Sequence, residues 1–209
     1  MIFYRTVRRI TRLYFSARMK IRFEGIHNLP KEGGFLLVMN HQSHLDSLLL
    51  HAYCPRLLFT MTKSSAFRNP IMRWVAPRVG AFPTRRYQVD PQSVRMAIRY
   101  LEEGKAVGVF PEGERSWDGK LQKLRPGTIR LILKTGFPVI PCGIMGTYEV
   151  WPRWGKMSWL KIGPKRPKVM IRYGQAIHFK KYDDKIARDK KLPDATKKIS
   201  ESIQSLMMP

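Results

Sequence analysis

Five short apolar runs set the frame for this chain: Phe35 to Met39, Leu57 to Met61, Ala106 to Phe110, Val139 to Ile144 and Val169 to Tyr173. A run of about five residues without a polar face is what a strand buried on both sides requires. Helical patterns separate the runs. Leu45 to Ala52 follows the first; Val94, Ala97, Ile98 and Leu101 mark a helix stopping at Gly104; Ile129, Ile132 and Leu133 mark one stopping at Gly136. Ala195, Ile199, Ile203 and Leu206 align on one face of a last helix, Asp194 to Met207. The alternation predicts an α/β fold: a single layered domain with a mixed, partly parallel sheet flanked by helices, preceded by an N-terminal amphipathic helix. Residues 1–20 read as that helix and 21–209 as the layered domain. Loops that follow strand ends are where a site is expected.

Charge is the second constraint. Lys and Arg number 39 against 15 Asp and Glu, a formal net charge of +24. Residues 1–22 hold seven of these cations and no acid, interleaved with apolar residues, and positions 3, 7, 10 and 14 follow helical spacing. Such a helix can lie in the headgroup plane of an anionic membrane; alternatively its apolar stripe packs on the domain with the arginines in solvent. A second basic block, 151–191, opens with Trp151, Trp154 and Trp159, which suits interfacial anchoring or stacking on single-stranded nucleic acid. No finger, RNA-binding signature or heptad-linked basic region supports nucleic acid as a partner. No apolar stretch is long enough to span a bilayer, and the start lacks the apolar centre of a signal peptide. A peripheral or monotopic protein on the cytoplasmic face of the cell membrane is expected. Cys54 and Cys142 read as buried thiols.

Two polar motifs directly follow apolar runs. Asn40-His41-Gln42-Ser43-His44-Leu45-Asp46 begins where the first run stops. His41 and Asp46 would diverge by about 140° on a regular helix, so a turn must intervene for them to meet. If they meet, the carboxylate holds one imidazole nitrogen protonated and the other is a general base; a structural hydrogen bond is the alternative. There is no G-x-S-x-G elbow, so the base would act on a substrate hydroxyl, and no metal-ligand set or cofactor motif is evident. Phe110-Pro111-Glu112-Gly113-Glu114-Arg115-Ser116 presents Glu112 and Arg115 on a loop, where the arginine suits capture of a phosphate and the carboxylate can orient it or bond a substrate hydroxyl; a surface ion pair is the alternative. Lys63 and the pair Arg85-Arg86 follow other strand or loop ends and could add to an anion pocket.

Four segments in order resemble the four blocks of the 1-acylglycerol-3-phosphate acyltransferases, within the wider glycerolipid acyltransferase family. Asn40 to Asp46 matches N-H-x4-D, Gly80 to Arg86 resembles G-A-F-P-V-D-R, Phe110 to Ser116 resembles F-P-E-G-T-R-S, and Val139 to Ile144 resembles V-x-P-V-x-I. The resemblance implies transfer of a fatty acyl chain from acyl-CoA or acyl carrier protein to the free hydroxyl of 1-acylglycerol 3-phosphate, giving phosphatidic acid, without an acyl-enzyme or a cofactor. It implies His41 as base, Asp46 as its orienting group, Lys63, Arg86, Glu112, Gly113 and Arg115 around the glycerol phosphate, and Pro141 on the acyl-side wall. Another lysolipid or glycerol 3-phosphate is the alternative acceptor, and a non-catalytic basic lipid-binding module is the alternative class. Two positions depart from the blocks: Arg85 stands where Asp is usual and Glu114 where Thr or Ser is usual. A reciprocal Arg85–Glu114 ion pair would reconcile them.

Overall fold

The computed structural model describes residues 2–85, 90–156 and 166–208. A seven-stranded sheet forms its middle. In chain order the strands are β1 (Lys20–Glu24), β2 (Phe35–Met39), β3 (Leu58–Lys63), β4 (Ala81–Thr84), β5 (Ala106–Val109), β6 (Val139–Met145) and β7 (Lys168–Tyr173). Across the sheet they run β1-β7-β6-β2-β5-β3-β4. All neighbours are parallel except β6 and β7. The helices are α1 (Ile2–Arg18), α2 (Leu45–Tyr53), α3 (Pro70–Arg78), α4 (Pro91–Glu102), α5 (Pro126–Thr135), α6 (Lys185–Lys190) and α7 (Leu192–Leu206). The expected α/β layered domain with a mixed sheet and an N-terminal helix is what the chain forms.

β2 shows why. Every residue of Phe35-Leu36-Leu37-Val38-Met39 is buried. Phe35, Leu37 and Met39 face a core shared with Phe15 and Met19 of the α1 end, Leu45, Leu49 and Leu50 of α2, and Ile140, Cys142 and Ile144 of β6. Leu36 and Val38 face the opposite core, built with Ala97 and Leu101 of α4, Ile129, Ile132 and Leu133 of α5, and Ile199 and Ile203 of α7. A strand sandwiched in this way needs apolar residues at both parities. Both cysteines are buried free thiols.

Strands β1 and β4 and helices α3 and α6 carry no signal in the apolar runs. β1, Lys-Ile-Arg-Phe-Glu, alternates between exposed and half-buried residues at the sheet edge. β4 has four residues with a proline among them, tolerable on the other edge, where a missing N–H costs no ladder bond.

α1 is attached to the domain otherwise than by an apolar stripe with its arginines in solvent. Its inward face consists of the buried Tyr4 and Phe15 together with two arginines that bond the end of α2. Arg8 donates to the carbonyls of Ala52 and Cys54, Arg12 donates to Ala52, and Tyr4 donates to His51. The last carbonyls of a helix have no partner within it and carry partial negative charge, so the guanidinium groups cap α2. Ile2, Ile10 and Leu13 point outward, 83%, 63% and 76% exposed. Phe3 and Val7 lie half-buried on the flank. Among the described residues no helix is long and apolar enough to cross a membrane.

Candidate active site

β2, β3, β4, β5 and β6 all end at one edge of the sheet, and the segments that follow them carry the motifs. At the end of β2 the Asn40 side chain continues the ladder: its amide donates to the carbonyl of Ile144 and its oxygen accepts from the Ile144 N–H. One amide thereby replaces one peptide unit, and the main chain is free to turn at His41.

The turn ends at Leu45, where α2 begins, and this solves the spacing problem. Asp46 lies in the first turn of α2 and is fully buried. Its Oδ2 accepts from the backbone N–H groups of Gln42 and Ser43, both at 2.7 Å, and lies 2.8 Å from His41 Nδ1. Its Oδ1 accepts from the Thr147 hydroxyl at 2.7 Å. Every other partner of the carboxylate is a donor, so Nδ1 carries its hydrogen towards Asp46 and Nε2 presents the lone pair. The imidazole stacks on Phe110, with centroids 3.9 Å apart and planes 20° from parallel. Ring orientation is thus fixed from one edge and one face.

The loop after β5 grips the same turn from the other side. Glu112 is 2% exposed; its Oε1 accepts from the His41 N–H at 2.6 Å and its Oε2 from the Gln122 N–H at 2.8 Å. Burial pushes this carboxyl up to about 8 against the pull of those two N–H groups, and the Asp46 charge adds to the rise. The Ser116 N–H donates to the His41 carbonyl. Gly113 has φ +73°, and a Cβ there would lie 2.5 Å from Arg125 Cδ, so both the turn and the packing of Arg125 exclude a side chain.

Glu114 is held by Arg125 at 3.0 Å and Arg153 at 2.9 Å. This corrects the Arg85–Glu114 pair: Arg85 is exposed and its backbone N–H bonds Asp90 instead. Arg115 lies beside His44, whose pKa is lowered by burial first and then by the Arg115 and His41 charges. Lys63 is exposed at the end of β3, on the same edge. Arg86 and Trp159 fall outside the described residues. Pro141 sits within β6, paired in register with Val38, with its ring against Gly174. It shares its side of the sheet with α7, and the structure does not bring it to His41. Trp151 stacks on His44 at 4.5 Å. Trp154 is 77% exposed and pairs with Trp117. No group of three or more His, Cys, Asp or Glu suited to holding a metal ion occurs among the described residues.

Thr147, Gln122, Arg125 and Arg153 are the contributions that motif reading assigns no role. The available signal for Thr147 is its place two residues after β6, at the edge where the other segments converge.

The model of the acyltransferase family matches residues 20–145, from the first residue of β1 to the last of β6. The chain belongs to the acyltransferase family. A chloroplast 1-acyl-sn-glycerol-3-phosphate acyltransferase of Arabidopsis thaliana is 36% identical over 138 residues, 64% of this chain and 38% of that protein. A 1-acyl-sn-glycerol-3-phosphate acyltransferase of Bacillus subtilis is 26% identical over 168 residues, 80% of this chain and 78% of its own length. The chain thus spans about two fifths of the plant relative and about four fifths of the bacterial one. The crystal structure of the 1-acyl-sn-glycerophosphate acyltransferase PlsC of Thermotoga maritima superposes with a TM-score of 0.75 over 97% of this chain and 79% of that one, at 24% identity. That likeness establishes a shared fold for this acyltransferase-family chain.

Proposed function

We propose that the chain transfers a fatty acyl group from a thioester, acyl-CoA or acyl carrier protein, to the free hydroxyl of 1-acylglycerol 3-phosphate, forming phosphatidic acid. The observation that carries the reading is the His41–Asp46 pair, a buried dyad whose Nε2 is left as the base. The names of the relatives support the choice of acceptor.

In this mechanism Nε2 takes the proton of the acceptor hydroxyl as its oxygen bonds to the thioester carbonyl carbon. The tetrahedral intermediate then collapses, the C–S bond breaks, and the imidazolium returns its proton to the departing thiolate. The products are an ester and a free thiol. A thioester is already activated, so one positioned base together with an oriented acceptor is sufficient. Asp46 holds the tautomer and stabilises the imidazolium. Arg115, with Lys63 at the end of β3, supplies cations for the acceptor phosphate, and Arg86 is the further cation that the motif resemblance assigns to it. Glu112 acts by fixing the His41 backbone, and Gly113 lets the loop pass beneath Arg125. α1 lies on the anionic membrane surface, with Ile2, Ile10 and Leu13 towards the lipid.

The test is thiol release from a long-chain acyl-CoA, and separately from acyl carrier protein, on anionic vesicles with and without 1-acylglycerol 3-phosphate. Acceptor-dependent release with phosphatidic acid as product is expected, and His41→Ala should lower the rate by roughly 10² to 10⁴ with the fold unchanged. Near-normal turnover by that variant would remove His41 from the chemistry. Turnover only with another lysolipid or glycerol 3-phosphate would reassign the acceptor.

A further inference from the structure

Helix α3 is exposed along most of its length. Asn69 caps its first turn through the N–H groups of Ile71 and Met72, and Ala76 is its one buried residue. Its large apolar side chains are on the surface: Ile71 is 71% exposed, Met72 40% and Trp74 53%. Single exposed apolar residues need no explanation, whereas three on one nine-residue helix do. This patch is continuous with α1, because Phe3 and Trp74 meet edge to face with ring centroids 5.2 Å apart.

The electrostatics around the patch are one-sided. From Ser47 to Val89 the chain contains no Asp or Glu, and none precedes Glu24. Lys63, Arg68, Arg73 and Arg78 are all exposed around α3, and the Arg78 guanidinium lies 4.3 Å over the Trp74 ring. A tryptophan with a stacked arginine presents an apolar body and a polar rim, the combination suited to a headgroup boundary. A face with cations and no acids repels a second copy of a +24 chain and complements an anionic bilayer. α3 also follows Lys63 at the end of β3, so it starts at the sheet edge that carries His41.

We infer that α3, through Ile71, Met72 and Trp74, forms a membrane-docking surface together with α1 and holds the His41 edge against the layer of anionic lipid. The inference rests on the proposed interfacial role of α1 and adds to it a second contact far away in sequence. Two contacts fix an orientation on a plane, whereas one helix leaves the domain free to roll about its axis.

The test is co-sedimentation of the full chain with vesicles of phosphatidylglycerol and phosphatidylcholine, compared with phosphatidylcholine alone. Wild type, an α3 double variant (Ile71→Ser with Trp74→Ser) and an α1 double variant (Ile10→Ser with Leu13→Ser) are compared, with circular dichroism as the check on folding. Loss of two large side chains from an apolar interface should weaken partition of the α3 variant at least about tenfold. Its turnover on detergent-dispersed substrate should remain unchanged. Wild-type-like binding by the α3 variant, with the α1 variant impaired, would overturn the inference. A wild-type dimer in sedimentation velocity that the α3 variant abolishes would overturn it in favour of a second copy as occupant. Failure of wild type to bind anionic vesicles would overturn both membrane contacts, and the micellar assay would still decide acyl transfer separately.

Discussion

Asp46 is defined by its partners: all four are donors, namely two backbone N–H groups, one hydroxyl and one ring nitrogen. Asp46→Asn keeps the shape and sets an NH2 against at least one donor in a buried site. A cost of about 1–3 kcal/mol is expected from the unsatisfied pair, measurable by denaturant unfolding, along with a sharp fall in thiol release. Unchanged stability would show that the turn does not depend on the carboxylate. The residues of this cluster were legible in unequal measure. His41 and Asp46 stand five apart in a polar heptapeptide after an apolar run, which is enough to suspect them. Thr147 lies 101 residues beyond Asp46, and no local pattern announces that its hydroxyl completes the carboxylate's shell. Glu112 reads from sequence as a loop carboxylate that orients the neighbouring arginine or bonds a substrate hydroxyl; its bonds to two backbone N–H groups depend on a fold the motif does not contain. The Glu114 partners escape a sequence reading for a related reason. Charge swaps between motifs suggest a pair, but Arg125 and Arg153 are nearer.

At the scale of elements, what the sequence disclosed was burial. β2 and β6 declared themselves because both faces are covered. β1 was hidden because its charged residues belong on an edge, and because its partner β7 arrives nearly 150 residues later in register Lys20 to Lys168. α3 was hidden because prolines at 70 and 77 bracket a helix with almost no buried face from which a period could be read. α1 was seen, but its attachment was not, since apolar spacing says nothing of arginines that seek carbonyls. That attachment has its own consequence. Arg8→Ala with Arg12→Ala leaves the last carbonyls of α2 without their cap, so α1 should open more often. Amide hydrogen exchange within residues 4–16 should quicken by roughly an order of magnitude or more, as expected for loss of the three charge-assisted bonds, with β2 amides still protected. Equal exchange in both proteins would leave the guanidinium groups with no part in holding α1.

For the whole molecule, two buried groups titrate in opposite senses. His51 donates to or accepts from Thr60 through Nε2 at 2.8 Å, and burial lowers its pKa from 6.5 to about 4. The unfolded chain takes up this proton first, so His51 erodes stability as pH falls from about 6.5 to about 4. Glu112 is raised from 4.5 to about 8. The unfolded chain loses this proton first, so Glu112 erodes stability as pH rises from about 4.5 to about 8. Between about 4.5 and 6.5 the two slopes oppose each other and nearly cancel, each being roughly 1.4 kcal/mol per pH unit. Unfolding free energy should therefore be flat across that window as far as these groups determine it, and should decline from pH 6.5 to 8. Glu112→Gln should remove the upper decline and uncover a rise with pH below 6.5. A Gln variant with the wild-type profile would show that Glu112 does not titrate in this range.

The Asn40 side chain stands in for a peptide unit, donating to one group of Ile144 and accepting from the other. That substitution also sets a chemical clock. If water replaced the amide NH2 with oxygen, as happens to asparagines over the lifetime of a protein, the donor facing the Ile144 carbonyl would become a second acceptor, buried and charged. The damage would reach His41, the very next residue, before it reached the rest of the sheet. A molecule that has aged at this one position would keep its layers and lose the turn that carries His41.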